Sequence, residues 1–566
     1  MGKKWIHILA AFAGIAAFLS IPVRGLALSD SSSYIRIGLY YGSSALSTAN
    51  LENNTGHGSG YRFGYYDDSY HFTEVASTAQ TQISMLKNSN IYLSGTTYYT
   101  YAPSGSYSTV GAYHIQLNTV YGSYSAASSA AKMYSGGFPA WIGGAYRARV
   151  GSYTTSAAAG AAMKSLGISN AEVVGGSETA ITVTQTKTTA ILFQFDGNGK
   201  NSLVVMPGKN NDVKAITWFK GYRYYGNFQY KRLSGGDLTV INVVPMEDYV
   251  KGILPYEMSS SWPREALKAQ AVCARSYAAC NYWKHQSLGF DLCNTTDCQV
   301  YRGVGSNSES SDQAVDDTAG LYVRYGDEIA ETVYHSCDGG ATEDVKNIWG
   351  SDLPYLKGVV DPFESYIAGS ISSYYWNVTY TSAELTARLQ SKGYACGNVV
   401  NVYISEYTPT GNPKTVTFVD SNGKTYSFSR TNLTSIFSTA GKSLRSYRYK
   451  IYSGSEEGTG GSVYYVNPGG GTLSSLNGVY ALDGTGAAGQ IGSSGNYVIT
   501  GDGVQQLSPS SSSDTTASTT NSTFTISGSG WGHNLGMSQW GAYCMAKQGY
   551  TYDKILKFYY TNVTIS

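Results

Sequence analysis

Between residues 34 and 244 the apolar residues come in short runs that alternate with polar ones. Tyr34-Ile35-Arg36-Ile37-Gly38-Leu39-Tyr40 is one such run. Ala190-Ile191-Leu192-Phe193-Gln194-Phe195, Ser202-Leu203-Val204-Val205-Met206 and Leu238 to Val244 are others. A period of two places one face of each run in a core, which predicts strands. Two kinds of segment break the pattern. Ala-rich stretches lie between 124 and 167, and a stretch from Trp262 to Ala278 places Leu267, Ala271, Ala274 and Ala278 at a 3–4 spacing. Pro263 and Glu265 mark the start of a helix there. The predicted class is α+β: a multidomain, β-rich chain with a few helices and a small α/β unit ahead of its main domain.

Charge narrows the partners. Lys+Arg 39 against Asp+Glu 38 leaves a formal charge of +1, so nucleic acid binding has no electrostatic support. Charged residues are only 14% of the chain, where about a quarter is ordinary. With 66 Gly and 51 Tyr, the surface is expected to be neutral and rich in uncharged hydrogen-bonding groups. That suits an exported protein meeting a glycan.

Export has its own signal. Lys3 and Lys4 precede an apolar run from Trp5 to Val23, and Gly25-Leu26-Ala27 follows. Residues 1–28 are expected to be a secretory signal cleaved near Ala27 or Ser29. The alternative is a retained anchor, in which case the chain touches a membrane. Either way the rest is expected to be secreted or cell-wall associated.

Residues 34–110 are expected to form an N-terminal β-rich region. Residues 111–185 contain an internal echo. Tyr113 to Leu117 precedes Gly122-Ser123-Tyr124 and an Ala/Ser-rich helix ending near Gly136. Tyr146 to Val150 precedes Gly151-Ser152-Tyr153 and a second Ala-rich helix ending at Gly167. Ala157, Ala158, Ala161 and Ala162 are expected to let that helix sit close on a sheet. The arrangement resembles the SPOR domain, which implies a small α/β fold that binds glycan strands. Farther on, a Gly/Ser-rich insert at about 450–522 carries short strand signals such as Gly478 to Leu482, and Ser508–Ser522 reads as linker.

Glu257 stands in a turn just before the Trp262–Ala278 helix. A carboxyl walled by Leu254, Tyr256, Met258 and Trp262 would resist ionising, as a general acid for glycosidic cleavage must. On spacing alone, a lone Glu near a helix start is usually a capping or solvated residue. Tyr334-His335-Ser336-Cys337-Asp338-Gly339-Gly340-Ala341-Thr342-Glu343 places His and Gly among polar groups, and the two Gly allow close backbone approach to a sugar chain. Gly530-Trp531-Gly532-His533-Asn534-Leu535-Gly536-Met537-Ser538-Gln539-Trp540-Gly541 is similar, and equally reads as a Gly-rich loop with a buried His.

Four stretches in order, VVPMEDYVKGILPYEM…WPREALKAQAVCARSYA, FDLCNTTDCQVYRG, YHSCDGGATEDVKNIWG…LPYLKGVVDPFE and GSGWGHNLGMSQWGAYCMAKQGYTYDKILKFYY, resemble the SpoIID/LytB family. The resemblance covers residues 190–566. It implies a lytic transglycosylase that cuts between N-acetylmuramic acid and N-acetylglucosamine in peptide-stripped glycan strands, with Glu257 as the catalytic group. It also implies substrate contacts from Gln270, Arg275, His335, Ser336, Gly339, Gly340, Glu343, His533, Met537 and Gln539. Glu247 and Asp248 read as structural or groove residues. The family usually has His-Gly-Val-Gly where this chain has His533-Asn534-Leu535-Gly536, which is expected to make that turn less permissive.

No cofactor is required by that chemistry. Some family members hold a zinc near Cys293 and Cys298, with a His where this chain has Asp297. Cys293, Cys298, His335 and Cys337 could form a tetrahedral set. A local disulfide or free thiols is the favoured reading, and structural zinc the second. Of the seven Cys, Cys273, Cys280, Cys293, Cys298 and Cys337 crowd one region while Cys396 and Cys544 lie apart. The expected partner is the peptidoglycan glycan strand, with the tyrosine-rich surfaces of two domains following it. The rival function is a non-catalytic enhancer of a cell-wall amidase, which would add that amidase as a partner. A pure wall-binding protein is the third reading.

Overall fold

In the computed structural model the alternating runs pair into two large sheets that face one another. The structure describes residues 34–453 and 523–566, apart from 55–56, 68–69, 211–212 and 440. Within 454–522 it describes only the backbone of three short hairpins, 464–466 with 471–473, 480–482 with 488–490, and 497–500 with 503–506. The signal or anchor at 1–28 and the linker at 508–522 lie outside the described residues. No helix among the described residues is long and apolar enough to cross a membrane.

One sheet has seven strands. Its order is Leu292–Cys293, Tyr34–Tyr40, Leu238–Pro245, Asn227–Arg232, Leu203–Lys209, Gly58–Tyr66 and Phe72–Thr78. The first long strand runs antiparallel to Leu238–Pro245, with Tyr34 opposite Pro245 and Ile37 opposite Asn242. The second sheet has ten strands and includes Gln82–Lys87, Ile181–Gln185 and Ile191–Asp196. Ile35, Ile37, Phe63, Ile83, Met85, Val183, Phe193 and Val205 share one core cluster. Strands before residue 110 thus share both sheets with strands after 180. The N-terminal β-rich region is woven into the main domain rather than laid on it.

Residues 113–174 form a β-α-β-β-α-β unit. Its strands, Tyr113–Leu117, Gly137–Ile142, Ala145–Tyr153 and Ala171–Val174, lie antiparallel in the order fourth, first, third, second. This is the ferredoxin-like split βαβ arrangement. The echo in the sequence is only partly an echo in structure. Ser123 accepts the amide of Ala126 and caps the helix Tyr124–Ala131. In the second half, Gly151-Ser152-Tyr153 ends a strand, and Thr155 caps Ser156–Ser165 instead. Ala159 is the buried small residue of that helix, whereas Ala157, Ala158 and Ala161 face solvent. The unit continues the ten-stranded sheet, with Ala140 parallel to Gln194.

The helix Arg264–Cys280 is buried on nearly all sides, beyond the narrow small-residue face its spacing predicts. The helices Gln539–Lys547 and Tyr552–Tyr559 pack against it, and Met545, Ile555 and Leu556 join its cluster. A second lobe holds Tyr375–Ser453 and Thr523–Ser529 around its own core of Tyr380, Leu385, Phe418, Phe437 and Ile526. The insert leaves and rejoins this lobe between Tyr449–Ser453 and Thr523–Ser529, which pair directly.

Candidate active site

Glu257 closes a one-turn helix, Leu254–Glu257, and Met258 leaves it in extended backbone. Leu254 and Met258 turn into the core, so the carboxyl is the group presented outward. It faces a cleft of about 480 Å³ assembled from four separate stretches of chain. A short parallel pairing registers two of them, with Tyr334 opposite Met537 and His335 opposite Ser538. That pairing brings Tyr334 and Gln539 to the carboxyl.

Three donors hold it. Gln539 Nε2 donates to Glu257 Oε2 at 3.1 Å. The Val300 amide and the Tyr334 hydroxyl also donate to it. Enclosure pushes the carboxyl above its ordinary range, and the three hydrogen bonds oppose that shift without cancelling it. The donors are themselves tied down. Gln299 donates to the Tyr334 hydroxyl at 3.0 Å and accepts from Tyr249 at 3.1 Å.

The two cleft histidines have opposite tautomers. His335 Nδ1 donates to the Leu535 carbonyl at 3.0 Å, which leaves Nε2 as a buried acceptor with no partner among the described residues. His533 Nδ1 accepts from the Leu535 amide at 3.1 Å, so its Nε2–H is free to donate to the Tyr334 carbonyl. Burial lowers His335 to about 3 and His533 to about 4, so both are neutral at pH 7. Trp349 and Trp531 stand at the cleft mouth, 45% and 48% exposed, with Trp349 5.4 Å from the His533 ring.

Of the expected contacts, Glu257, His335, Ser336, His533 and Gln539 line the cleft. The others do not. Arg275 is fully buried and clamped by Glu247 at 2.9 and 2.6 Å, while Asp248 pairs with Lys214 at 2.7 Å. Gln270 is sealed inside the helix packing. Met537 packs on Cys273 in the core. Gly339 and Gly340 meet Ser529 and Arg448 instead of a ligand, at φ +77° and +117°. Glu343 is a strut, accepting from Thr408, Thr410 and Asn412 at 2.7, 2.9 and 3.0 Å. Tyr256 and Trp262 do not wall the carboxyl; Tyr256 bonds Ser306 and Trp262 stacks near Trp540.

Sequence reasoning missed Val300, Tyr334, Trp349 and the rim at Asp297 and Cys298. The tyrosines divide between surface and core: Tyr101, Tyr366 and Tyr375 are exposed. Tyr61, Tyr230, Tyr249, Tyr301, Tyr559 and Tyr560 are core residues, and the cleft contains only Tyr277 and Tyr334. A Tyr within a motif string was the available signal for Tyr334.

The expected cysteine set is also corrected. No cysteine is in a disulfide. His335 belongs to the cleft, and Cys337 packs with Ala368, Ile371 and Tyr374. His285, Cys293, Asp297 and Cys298 converge instead, their ligating atoms within 4.8 Å of one another. His285 Nε2 is 3.3 Å from Cys298 Sγ and 3.2 Å from Asp297 Oδ2, which lies 3.8 and 3.9 Å from the two sulfurs. Tetrahedral zinc with bonds of 2.0–2.3 Å separates its ligands by roughly 3.3–3.8 Å. The four residues therefore fit zinc. The two thiols share one proton: hydrogen bonding from Cys298 lowers Cys293 toward the thiolate form a metal takes and raises Cys298, which keeps the proton in the metal-free pair.

Residues 234–325 match the family described as SpoIID, stage II sporulation protein. The chain is 31% identical over 349 residues to an uncharacterized protein of Brachyspira hyodysenteriae, across 61% of this chain and 73% of that one. It is 28% identical to the amidase enhancer of Bacillus subtilis, across 56% of this chain and 40% of that one. It is 25% identical to the stage II sporulation protein D of Bacillus subtilis, across 57% and 75%. The match to the 234–325 segment and these relatives agree with the motif order that assembles the cleft, and the chain belongs to the SpoIID/LytB family.

Proposed function

We propose that the chain is a peptidoglycan lytic transglycosylase acting on glycan strands stripped of their stem peptides. The observation that carries the reading is Glu257, an enclosed carboxyl with a raised pKa held by three donors in an aromatic-edged cleft. Glu257 gives its proton to the glycosidic oxygen as the C1–O bond breaks. The resulting carboxylate takes the proton of the sugar's own 6-hydroxyl as O6 bonds C1. The product is a 1,6-anhydro sugar and no water is consumed. The intramolecular nucleophile removes the need for a second carboxylate to position water. Gln539, Val300 and Tyr334 fix the carboxyl, and His335 Nε2 accepts from a sugar hydroxyl. The cleft's other carboxylate, Asp297, is exposed and belongs to the cysteine cluster.

The zinc reading belongs to the same proposal. His285, Cys293, Asp297 and Cys298 would hold the ion, which would act as a structural clamp on the loop that carries Val300. The β-α-β-β-α-β unit is proposed to hold the glycan, on the strength of its topology and its resemblance to SPOR domains. Its continuity with the main sheet would fix a bound strand relative to the cleft. Acting on glycan strands, the protein would work outside the cytoplasm at the cell wall.

Incubating the protein with amidase-stripped glycan strands and analysing the products by mass spectrometry tests the reading. Anhydro sugars are expected from the wild type, with about 10²–10⁴-fold less from Glu257→Gln. No product from the wild type on any stripped glycan would sink it. The similarity to an amidase enhancer favours a second reading, in which the chain raises the rate of a cell-wall amidase. That reading expects the same stimulation from Glu257→Gln as from the wild type.

A further inference from the structure

Behind the cleft, three carboxyls meet with no cationic side chain paired to them among the described residues. Asp338, Asp361 and Glu364 are 0%, 2% and 0% exposed, and their oxygens lie within 4.8 Å of one another. Every group that faces them is neutral or acidic. The Tyr559 hydroxyl donates to Asp361 at 2.6 Å, and the Tyr374 phenol meets Glu364. The Cys337 and Cys544 thiols stand nearby. Backbone amides complete the set: Asp338 and Gly339 donate to Glu364 at 2.9 and 3.0 Å, Gly340 to Asp338 at 2.7 Å, and Phe363 to Asp361 at 2.7 Å. Arg448, which flanks Gly340, is bonded to Thr410 and Asn412. No ion pair among the described residues includes any of the three acids.

The packing is closed. A Cβ on Gly541 would lie 2.3 Å from Asp361 Oδ2, so the backbone of the helix Gln539–Lys547 presses directly on the cluster. Three charges cannot stay in such a place unpaired, and the carboxyls must keep protons. Asp338 Oδ2 accepts no hydrogen bond, and it is the oxygen suited to carry a proton toward Asp361. Burial raises Glu364 to about 7 and holds Asp338 well above the ordinary range.

A chain of hydrogen bonds joined by one peptide link runs from the cluster to the cleft. The Ser538 hydroxyl donates to Glu364 and accepts the Gly541 amide at 3.0 Å, capping the helix. The next residue, Gln539, donates to Glu257. We propose that the Asp338–Asp361–Glu364 cluster is a buried proton store that fixes Gln539 against Glu257, which makes Glu364 a positioning residue for the reaction. The inference rests on the reading of Glu257 as the general acid. A group whose folded pKa is raised gives up stability as pH rises through that pKa. Losing the store's protons above neutral pH therefore loosens the cap and the Gln539 contact.

The test is the melting temperature from pH 6.5 to 8.5 in chelator, with kcat and KM on stripped glycan over the same range. The wild-type melting temperature is expected to fall by about 2–5 °C across this window. Glu364→Gln, and separately Asp361→Asn, should flatten that fall. Glu364→Gln should also keep a larger fraction of its pH 6.5 kcat at pH 8 than the wild type, with KM unchanged. Ser538→Ala, which cuts the chain to Gln539, should lower kcat about tenfold at every pH and leave the thermal slope in place. An unchanged slope in both carboxyl variants overturns the proposal. So does a slope abolished by millimolar Ca²⁺ in the wild type, which would make the cluster a cation site. That wild-type measurement stands even if a variant fails to fold. If the wild type cleaves no glycan, the reading of Glu257 fails, while the thermal slopes still decide whether the cluster stores protons.

Discussion

Asn534 shows how one residue can replace a glycine and add a function. Its φ is +58°, a left-handed conformation that glycine adopts freely and Asn tolerates best among the rest. The expected loss of permissiveness at this turn does not occur. The buried side chain instead braces two other segments. Its Nδ2 donates to the carbonyls of Asp338 and Ala341 at 2.6 and 3.2 Å, and its Oδ1 accepts from Tyr447 at 2.9 Å. Asn534→Gly keeps the backbone and loses the braces, at an expected cost of about 1–3 kcal/mol. Asn534→Ala adds strain at positive φ and should cost more, by about 1 kcal/mol. Denaturant unfolding of the two variants measures both. Arg275 carries a related lesson. Its clamp on Glu247 is structural, so Arg275→Met should reduce folded yield well before it alters KM.

Among the elements, the helix Gln539–Lys547 is the most constrained. Gly541 on it would place a Cβ 1.8 Å from the Tyr559 hydroxyl. Gly541→Ala should therefore destabilise the chain by about 1–3 kcal/mol, read as a lower melting temperature, despite the better helix propensity of Ala. The Cys293–Val300 loop is the second such element. If it binds zinc, metal analysis of the purified chain should give about one ion per molecule. Cys298→Ser should lose it and lower the melting temperature. A chain with no bound metal and an unchanged melting temperature in chelator would remove the clamp. The insert is the opposite case. Because Tyr449–Ser453 and Thr523–Ser529 pair beside each other, replacing 454–522 with a short Gly/Ser loop should leave the melting temperature within a few degrees.

For the whole molecule, acid and base act on different groups. His114, His335 and His533 are lowered by burial to about 4, 3 and 4, so their folded-state pKa values lie below the unfolded ones. Stability from these three is intact above about pH 6.5 and is lost as pH falls toward 4. The buried carboxyls run the other way: their contribution is intact below about pH 4 and is lost as pH rises from there through the raised folded-state values. The two sets oppose one another between about pH 4 and 6.5, and above 6.5 only the carboxyls still act, so the melting temperature should fall as pH rises past 6.5, while His335→Asn together with His533→Asn should change the profile only below about pH 6.5.

Much of this was legible in the sequence. Strand runs such as Tyr34–Tyr40 and Leu238–Pro245, the helix start at Pro263 and the left-handed Gly167 after a helix are set by local sterics and by the alternation of apolar residues. Glu257, His335, His533 and Gln539 were identifiable because each lies in a short string with its neighbours. Which of those residues meet was a matter for tertiary structure alone. Gln539 bonds a carboxyl 282 positions away, and Glu343 is a strut only because Thr408, Thr410 and Asn412 fold onto it. Tyrosines divided between core and surface for the same reason, Tyr61 and Tyr230 buried and Tyr101 and Tyr366 exposed: a phenol is apolar enough to bury and polar enough to expose, so its side chain carries no local instruction. Strands, helices and the candidate acid Glu257 are written in local strings of residues. Only the packing of distant segments decided the partners of that acid, the cysteine–histidine–aspartate cluster and the buried carboxyls, because burial and hydrogen-bond pairing are properties of surfaces brought together and not of any one stretch of chain.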